Sequence, residues 1–109
     1  MTKRFEATPD MIGKYVNRSL YTDAYCVGKI VGIKSKTKVI IERMKAEISP
    51  EFKPEWHVGG FSAHCSNQWA QEWIHTPTGE RFEMRISAGD LKRGLRIAEQ
   101  PYHYYDYNF

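Results

Sequence analysis

The chain has 109 residues, 41% of them hydrophobic and 27% charged, which excludes a disordered or collagen-like chain and leaves room for one core. Its formal net charge of +3 favours an anionic partner without demanding nucleic acid. No stretch approaches the ~20 apolar residues of a membrane-spanning helix, and Met1 to Glu6 lack the apolar run of a secretion signal. Two cysteines, Cys26 and Cys65, are too few and too far apart for a disulfide framework or a zinc knuckle. The reading is a single cytosolic domain over residues 1–109, with reduced thiols, no membrane and no cofactor.

Thr8-Pro9-Asp10 predicts a helix start, and Gly13 ends it after one turn that carries Met11 and Ile12 onto the core. Residues 18–23 are polar and read as a turn. Tyr25 to Lys34 predicts a strand in which Gly28 and Gly32 mark bulges or close backbone approach. Ser35-Lys36-Thr37 is a turn, and Lys38 to Glu47 alternates as a second strand, giving a hairpin with a lysine-lined tip. Ile48 to Val58, with Pro50 and Pro54, reads as a loop. Trp69 to Thr76 is expected to be extended, with Pro77-Thr78-Gly79 as a turn into a strand over Glu80–Ser87. In that second hairpin Phe82, Met84 and Ile86 face inward, and Arg81, Glu83 and Arg85 outward. Ala88-Gly89-Asp90 breaks it, and Leu91 to Ala98 is a weaker strand. The fold class is therefore mainly β: a small twisted antiparallel sheet, or a partly open barrel of SH3-like or OB-like kind, with one short N-terminal helical turn.

Two stretches carry more chemistry than a core needs. Gly59 to Trp73 packs two glycines, three aromatics, a histidine, a thiol, an asparagine and two glutamines into one run. Buried amides and imidazoles each need a partner, so this mixture suits a site for a flat polar ligand. Tyr102 to Phe109 is too aromatic for a disordered tail and is expected to dock on the body or on a neighbouring subunit.

These residues suit four chemistries to different degrees. Metal binding by His57, His64, Cys65 and His75 lacks paired ligand spacing, because adjacent strand residues face opposite ways. A Cys65 nucleophile with His64 or His57 lacks any feature that lowers the thiol's pKa. No catalytic residue and no metal ligand is therefore assigned. Lys29, Lys34, Lys36 and Lys38 with Arg81 and Arg85 suit single-stranded nucleic acid, although a lysine-rich hairpin is also simply a solvated edge. The remaining reading is a pocket for a small anionic, nucleobase-bearing molecule. In it Gly59 and Gly60 bring backbone N–H groups to phosphate. Phe61, Trp69 or Trp73 stack the base; Asn67, Gln68 or Gln71 read its edge; Arg43, Arg81 or Arg85 clamp phosphate; and Tyr105 helps close the site. The bland alternative makes the tryptophans core and the amides loop braces.

The chain also resembles a family of small phage- and prophage-encoded proteins. The resemblance lies in Thr22-Asp23-Ala24 leading into Val27 and then Lys36-Thr37-Lys38-Val39-Ile40-Ile41-Glu42-Arg43, in Gly59-Gly60-Phe61-Ser62-Ala63-His64-Cys65-Ser66-Asn67-Gln68 with Gln71 and Trp73, and in Tyr104-Tyr105-Asp106-Tyr107-Asn108-Phe109. In size and layout it is similar to phage anti-defence sponges. That resemblance implies a non-enzymatic homo-oligomer that sequesters cyclic ADP-ribose-type or cyclic-oligonucleotide signals of bacterial immune systems such as Thoeris. The alternatives are a single-stranded nucleic-acid binder or an inhibitor that grips a host protein with its aromatic tail.

Overall fold

The computed structural model describes residues 5–20, 23–53, 55–59, 62–65 and 68–105. Its strands are β1 (Tyr15–Ser19), β2 (Ala24–Ser35), β3 (Lys38–Ile48), β4 (Trp56–Gly59), β5 (Ser62–Cys65), β6 (Trp73–Arg85) and β7 (Leu95–Ala98). Two 3-10 turns, Pro9–Met11 and Gln68–Ala70, and one short helix, α1 (Ala88–Lys92), complete the elements. Five strands form one antiparallel sheet in the order β6-β3-β2-β1-β7, and β4 and β5 pair separately. The sheet does not close: β6 and β7 are its edges. The protein is mainly β, as its strand patterns predict.

The core follows from alternation. Val16, Ile30, Val39, Ile41, Ile86 and Leu95 are fully buried, and Phe5 joins them. Met11, Val27, Phe82, Met84, Leu91 and Ile97 pack around that cluster. Each such aliphatic side chain contributes roughly 1.5–3 kcal/mol by leaving water. The β2–β3 hairpin forms as expected, and both glycines sit at register shifts. At Gly28 a Cβ would collide with the Ile41 side chain and the Glu42 carbonyl, so only glycine lets β2 approach β3 there.

Several local expectations are corrected. Ile12 is half exposed rather than in the core, because the turn ends at Met11 and Ile12 is already extended. Residues 18 and 19 belong to β1, a strand the sequence did not announce because Asn17 occupies one of its buried positions. The expected loop up to Val58 gives way to β4 at Trp56, and the expected extended run at Trp69 begins with the 3-10 turn.

The second hairpin does not exist. β6 runs unbroken from Trp73 to Arg85, and in place of the expected Pro77-Thr78-Gly79 turn it bulges at Thr78, Gly79 and Glu80. Glu42 pairs with Arg81 and Met44 with Pro77, so Thr78, Gly79 and Glu80 oppose Arg43 alone. The Thr78 hydroxyl donates to the Arg43 carbonyl at 3.0 Å, and the Gly79 N–H donates to Glu42 Oε2 at 3.1 Å. Proline is tolerated because β6 is an edge. Finally, residues 88–92 are helical: α1 takes in the expected break at Ala88-Gly89-Asp90 and the first two residues of the strand expected from Leu91. Ser87 and Asp90 form a reciprocal capping box, which the spacing of the two residues encodes.

Candidate ligand-binding groove

The register of the sheet opens a cleft. β2 pairs with β3 only from Lys29–Glu42 to Ser35–Lys38. Residues 24–28 of β2 pair with β1, whereas residues 44–48 of β3 pair with β6. Past the Lys29–Glu42 apex the two strand pairs therefore part company. The gap is a groove of about 460 Å³, with Tyr25, Cys26 and Val27 on the β2 arm and Arg43, Met44 and Ala46 on the β3 arm. Phe82 and His103 complete its lining.

The segment after β7 straddles the wide end of the cleft. Asn17, 8% exposed, clamps it from β1: its Nδ2 donates to the Gln100 carbonyl and its Oδ1 accepts from the Tyr102 N–H, both at 3.0 Å. The main chain of Tyr104 exchanges two hydrogen bonds of 2.9 Å with Ala24. The His103 ring lies 4.0 Å from that of Trp73 and 6.3 Å from His75, both on β6. Gln71 accepts from Trp73 Nε1 at 2.9 Å and from the Tyr105 N–H at 3.0 Å, and its Nε2 donates to the Tyr105 carbonyl. The strap formed by residues 100–105 thus ties the β2 arm to the β6 arm within one chain.

Electrostatics follow from burial. Burial pushes the Cys26 thiol up to about 11, against smaller opposing hydrogen bonds, so it is a protonated thiol rather than a nucleophile at neutral pH. Burial lowers the pKa of His75, and the nearby His103 lowers it further. Burial also lowers that of His103, against the opposing charge of Asp23. His75 Nε2 and His103 Nδ1 are buried without a hydrogen-bond partner. At the rim the Arg43 guanidinium sits 5.0 Å above the Phe82 ring and donates to Glu80 at 3.1 Å. That exposed pair is worth at most about 1 kcal/mol.

The residues singled out from sequence are thereby divided. Arg43 lines the groove. Tyr105 is held by its main chain to Gln71, and its ring is half exposed. Arg81 and Arg85 pair with Glu42 and Lys38 on the solvent face of the sheet, away from the groove lining. Gly59 ends β4 opposite Ser62. Gln68 opens the second 3-10 turn. Gly60, Phe61 and Asn67 lie outside the described residues. Both ends of the Gln71 amide are engaged within the chain, by Trp73 and by the Tyr105 main chain. Trp69 is 80% exposed and Trp73 half-buried, so neither is central core.

Cys26, Met44, Phe82 and His103 line the groove instead, with the His75 ring 6.3 Å from that of His103. Alternation puts Met44 and Ala46 on one face, but only the parting of the strand pairs turns that face into a groove wall. Among the described residues no cluster of three or more His, Cys, Asp or Glu is placed to hold a metal, and no helix is long and apolar enough to cross a membrane.

A cleft between diverging strand pairs, strapped across its wide end, makes this an open-sheet β-protein with a ring-lined groove. No protein-family model, curated protein or solved structure matches the chain.

Proposed function

We propose that the protein binds, without transforming it, a small anionic ligand that carries a flat ring: a nucleotide-derived signal of the cyclic ADP-ribose or cyclic-oligonucleotide kind. In the setting its sequence resemblance suggests, the protein would remove such a signal from a bacterial cytoplasm during phage infection. One observation supports this reading above the others. The groove joins an apolar floor to rings of three chemical kinds and places a single guanidinium at its rim. Its volume falls in the range of small-molecule sites, which combine mostly apolar walls with a few placed polar groups. Tyr25, Phe82 and His103 offer faces for a base. Arg43 offers the fork that suits phosphate. A second hollow, lined by Glu51, Glu55 and Glu72 with only Lys53 to offset them, would repel the same ligand.

The test is native mass spectrometry with cyclic dinucleotides, ADP-ribose isomers and linear nucleotides, followed by calorimetry on variants. A ligand released unchanged on heating fits the proposal, and Arg43→Ala should weaken its binding by about 10–100-fold, the worth of a charge-assisted hydrogen bond. Recovery of an altered molecule would replace binding by turnover. Wild-type affinity in Arg43→Ala would move the site elsewhere. Phe61→Ala and Asn67→Ala then decide whether the segment around β4 and β5 adds contacts.

A further inference from the structure

The solvent face of β2, β3 and β6 has a charge pattern of its own. Where Val39, Ile41, Phe82 and Met84 turn to the core, their neighbours turn outward in cross-strand rows. Lys38 stands beside Arg85, Ile40 beside Glu83, and Glu42 between Lys29 and Arg81. Lys34 reaches the same face, because it and Lys38 approach the two oxygens of Glu83 at 3.6 and 3.7 Å. Five cations against two carboxylates leave this face three charges positive. The whole chain has a formal net charge of +3, so the rest of the molecule sums to neutrality and the excess is concentrated here. Among the described residues neither Arg81 nor Arg85 makes an ion pair.

We infer that this face binds the sugar–phosphate backbone of a single-stranded nucleic acid. The proposal is independent of the groove, from which Arg81 and Arg85 are absent. The Lys38–Arg85 and Glu42–Arg81 rows are four residues apart, about 13 Å, and three strands span about 10 Å. A surface of that size meets about three phosphates at a time. Ile40 lies between the rows, and the Tyr15 ring sits 5.9 Å beneath the Lys29 ammonium, giving bases an apolar and aromatic surface among the cations. The face is sheet, with no described helix rising from it to enter a duplex groove, so splayed single strands fit it better than B-form DNA.

The experiment is fluorescence anisotropy with a labelled oligothymidine of about 16 nucleotides, titrated with the full chain across salt from about 50 to 200 mM. With about three phosphates neutralised, log K should fall against log salt with a slope near −2. Arg81→Gln/Arg85→Gln removes two exposed cations without touching the core, and should lower affinity more than tenfold and flatten the slope by about 1.4. Arg43→Ala should bind the oligonucleotide like the wild type, which separates failure of this proposal from failure of the groove. A slope shallower than about −1 or an unchanged double variant would overturn the inference. So would a duplex that outcompetes the single strand, or binding to phosphatidylserine vesicles with none to oligonucleotide.

Discussion

Replacing Asn17 by alanine tests whether the strap is an integral part of the fold. The side chain is almost fully buried and holds residues 100–102 through two hydrogen bonds of 3.0 Å. Each such bond is worth about 1 kcal/mol net, and a partner left without a substitute costs about 1–3 kcal/mol. Gln100 and Tyr102 are largely exposed, so water reaches their main chain once the clamp is gone, and the lower figure applies to each. The expected loss is about 2 kcal/mol. For a domain near 100 residues that corresponds to a fall in Tm of about 8–16 °C. Calorimetry on wild type and Asn17→Ala measures it. Amide exchange should lose protection first at Tyr104, whose N–H bonds Ala24, while Ile41 in the core stays protected. A variant that melts within about 2 °C of wild type, with Tyr104 still protected, would show that the Ala24, Gln71 and ring contacts hold the strap without Asn17.

Four further outcomes are expected. The pKa values of His75 and His103 lie below the ordinary 6.5, so as pH falls through that value the unfolded chain takes up protons first. Their stabilisation is complete above it and is lost below it, so the urea midpoint should drop between pH 8 and pH 5.5, and His103→Gln should shrink that drop. Gly28→Ala forces a Cβ against Ile41 and the Glu42 carbonyl and should cost about 1–3 kcal/mol in urea unfolding; a neutral result would mean that the apex yields. In a Cys65→Ser background the Cys26 thiol, buried with its pKa near 11, should react with a disulfide reagent only on unfolding, and stoichiometric reaction of the native protein would contradict its packing. Ser87→Ala removes half of the capping box before α1 and should lower stability by about 1 kcal/mol in thermal melts, whereas an unchanged melt would leave α1 held by Leu91 alone.

What the sequence disclosed, and what it hid, have separate physical causes. The β2–β3 hairpin and the inward row Phe82, Met84 and Ile86 were legible because strand periodicity alone encodes them. The Pro77-Thr78-Gly79 turn was misread because the same residues serve a turn or an edge bulge, and only the partner strand decides between them. β1 was missed because burying Asn17 pays off only through the strap residues, which lie far along the chain. Arg43 stood out in the sequence by its chemistry, and the fold places it on the groove lining. Its separation from Arg81 and Arg85 was not legible, since it depends on a register shift between Glu42 and Met44. His103 in the aromatic tail and His75 gave no joint signal, because their proximity exists only after β6 and the strap meet.

The placement of β7 sets the order in which the molecule can be assembled. β1 lies between β2 and β7, and Tyr15 pairs with Ala98 across roughly eighty residues of chain. During synthesis the β2–β3 hairpin closes from neighbouring residues, while the β7-facing edge of β1 stays unsatisfied until almost all of the sheet has left the ribosome. Long-range closure of this kind slows folding and prolongs exposure of an open strand edge. Leu95 and the strap residues follow every other strand of the sheet and complete the core and the cleft together, so a nascent chain stalled before residue 95 has β1, β2, β3 and β6 but no strapped cleft.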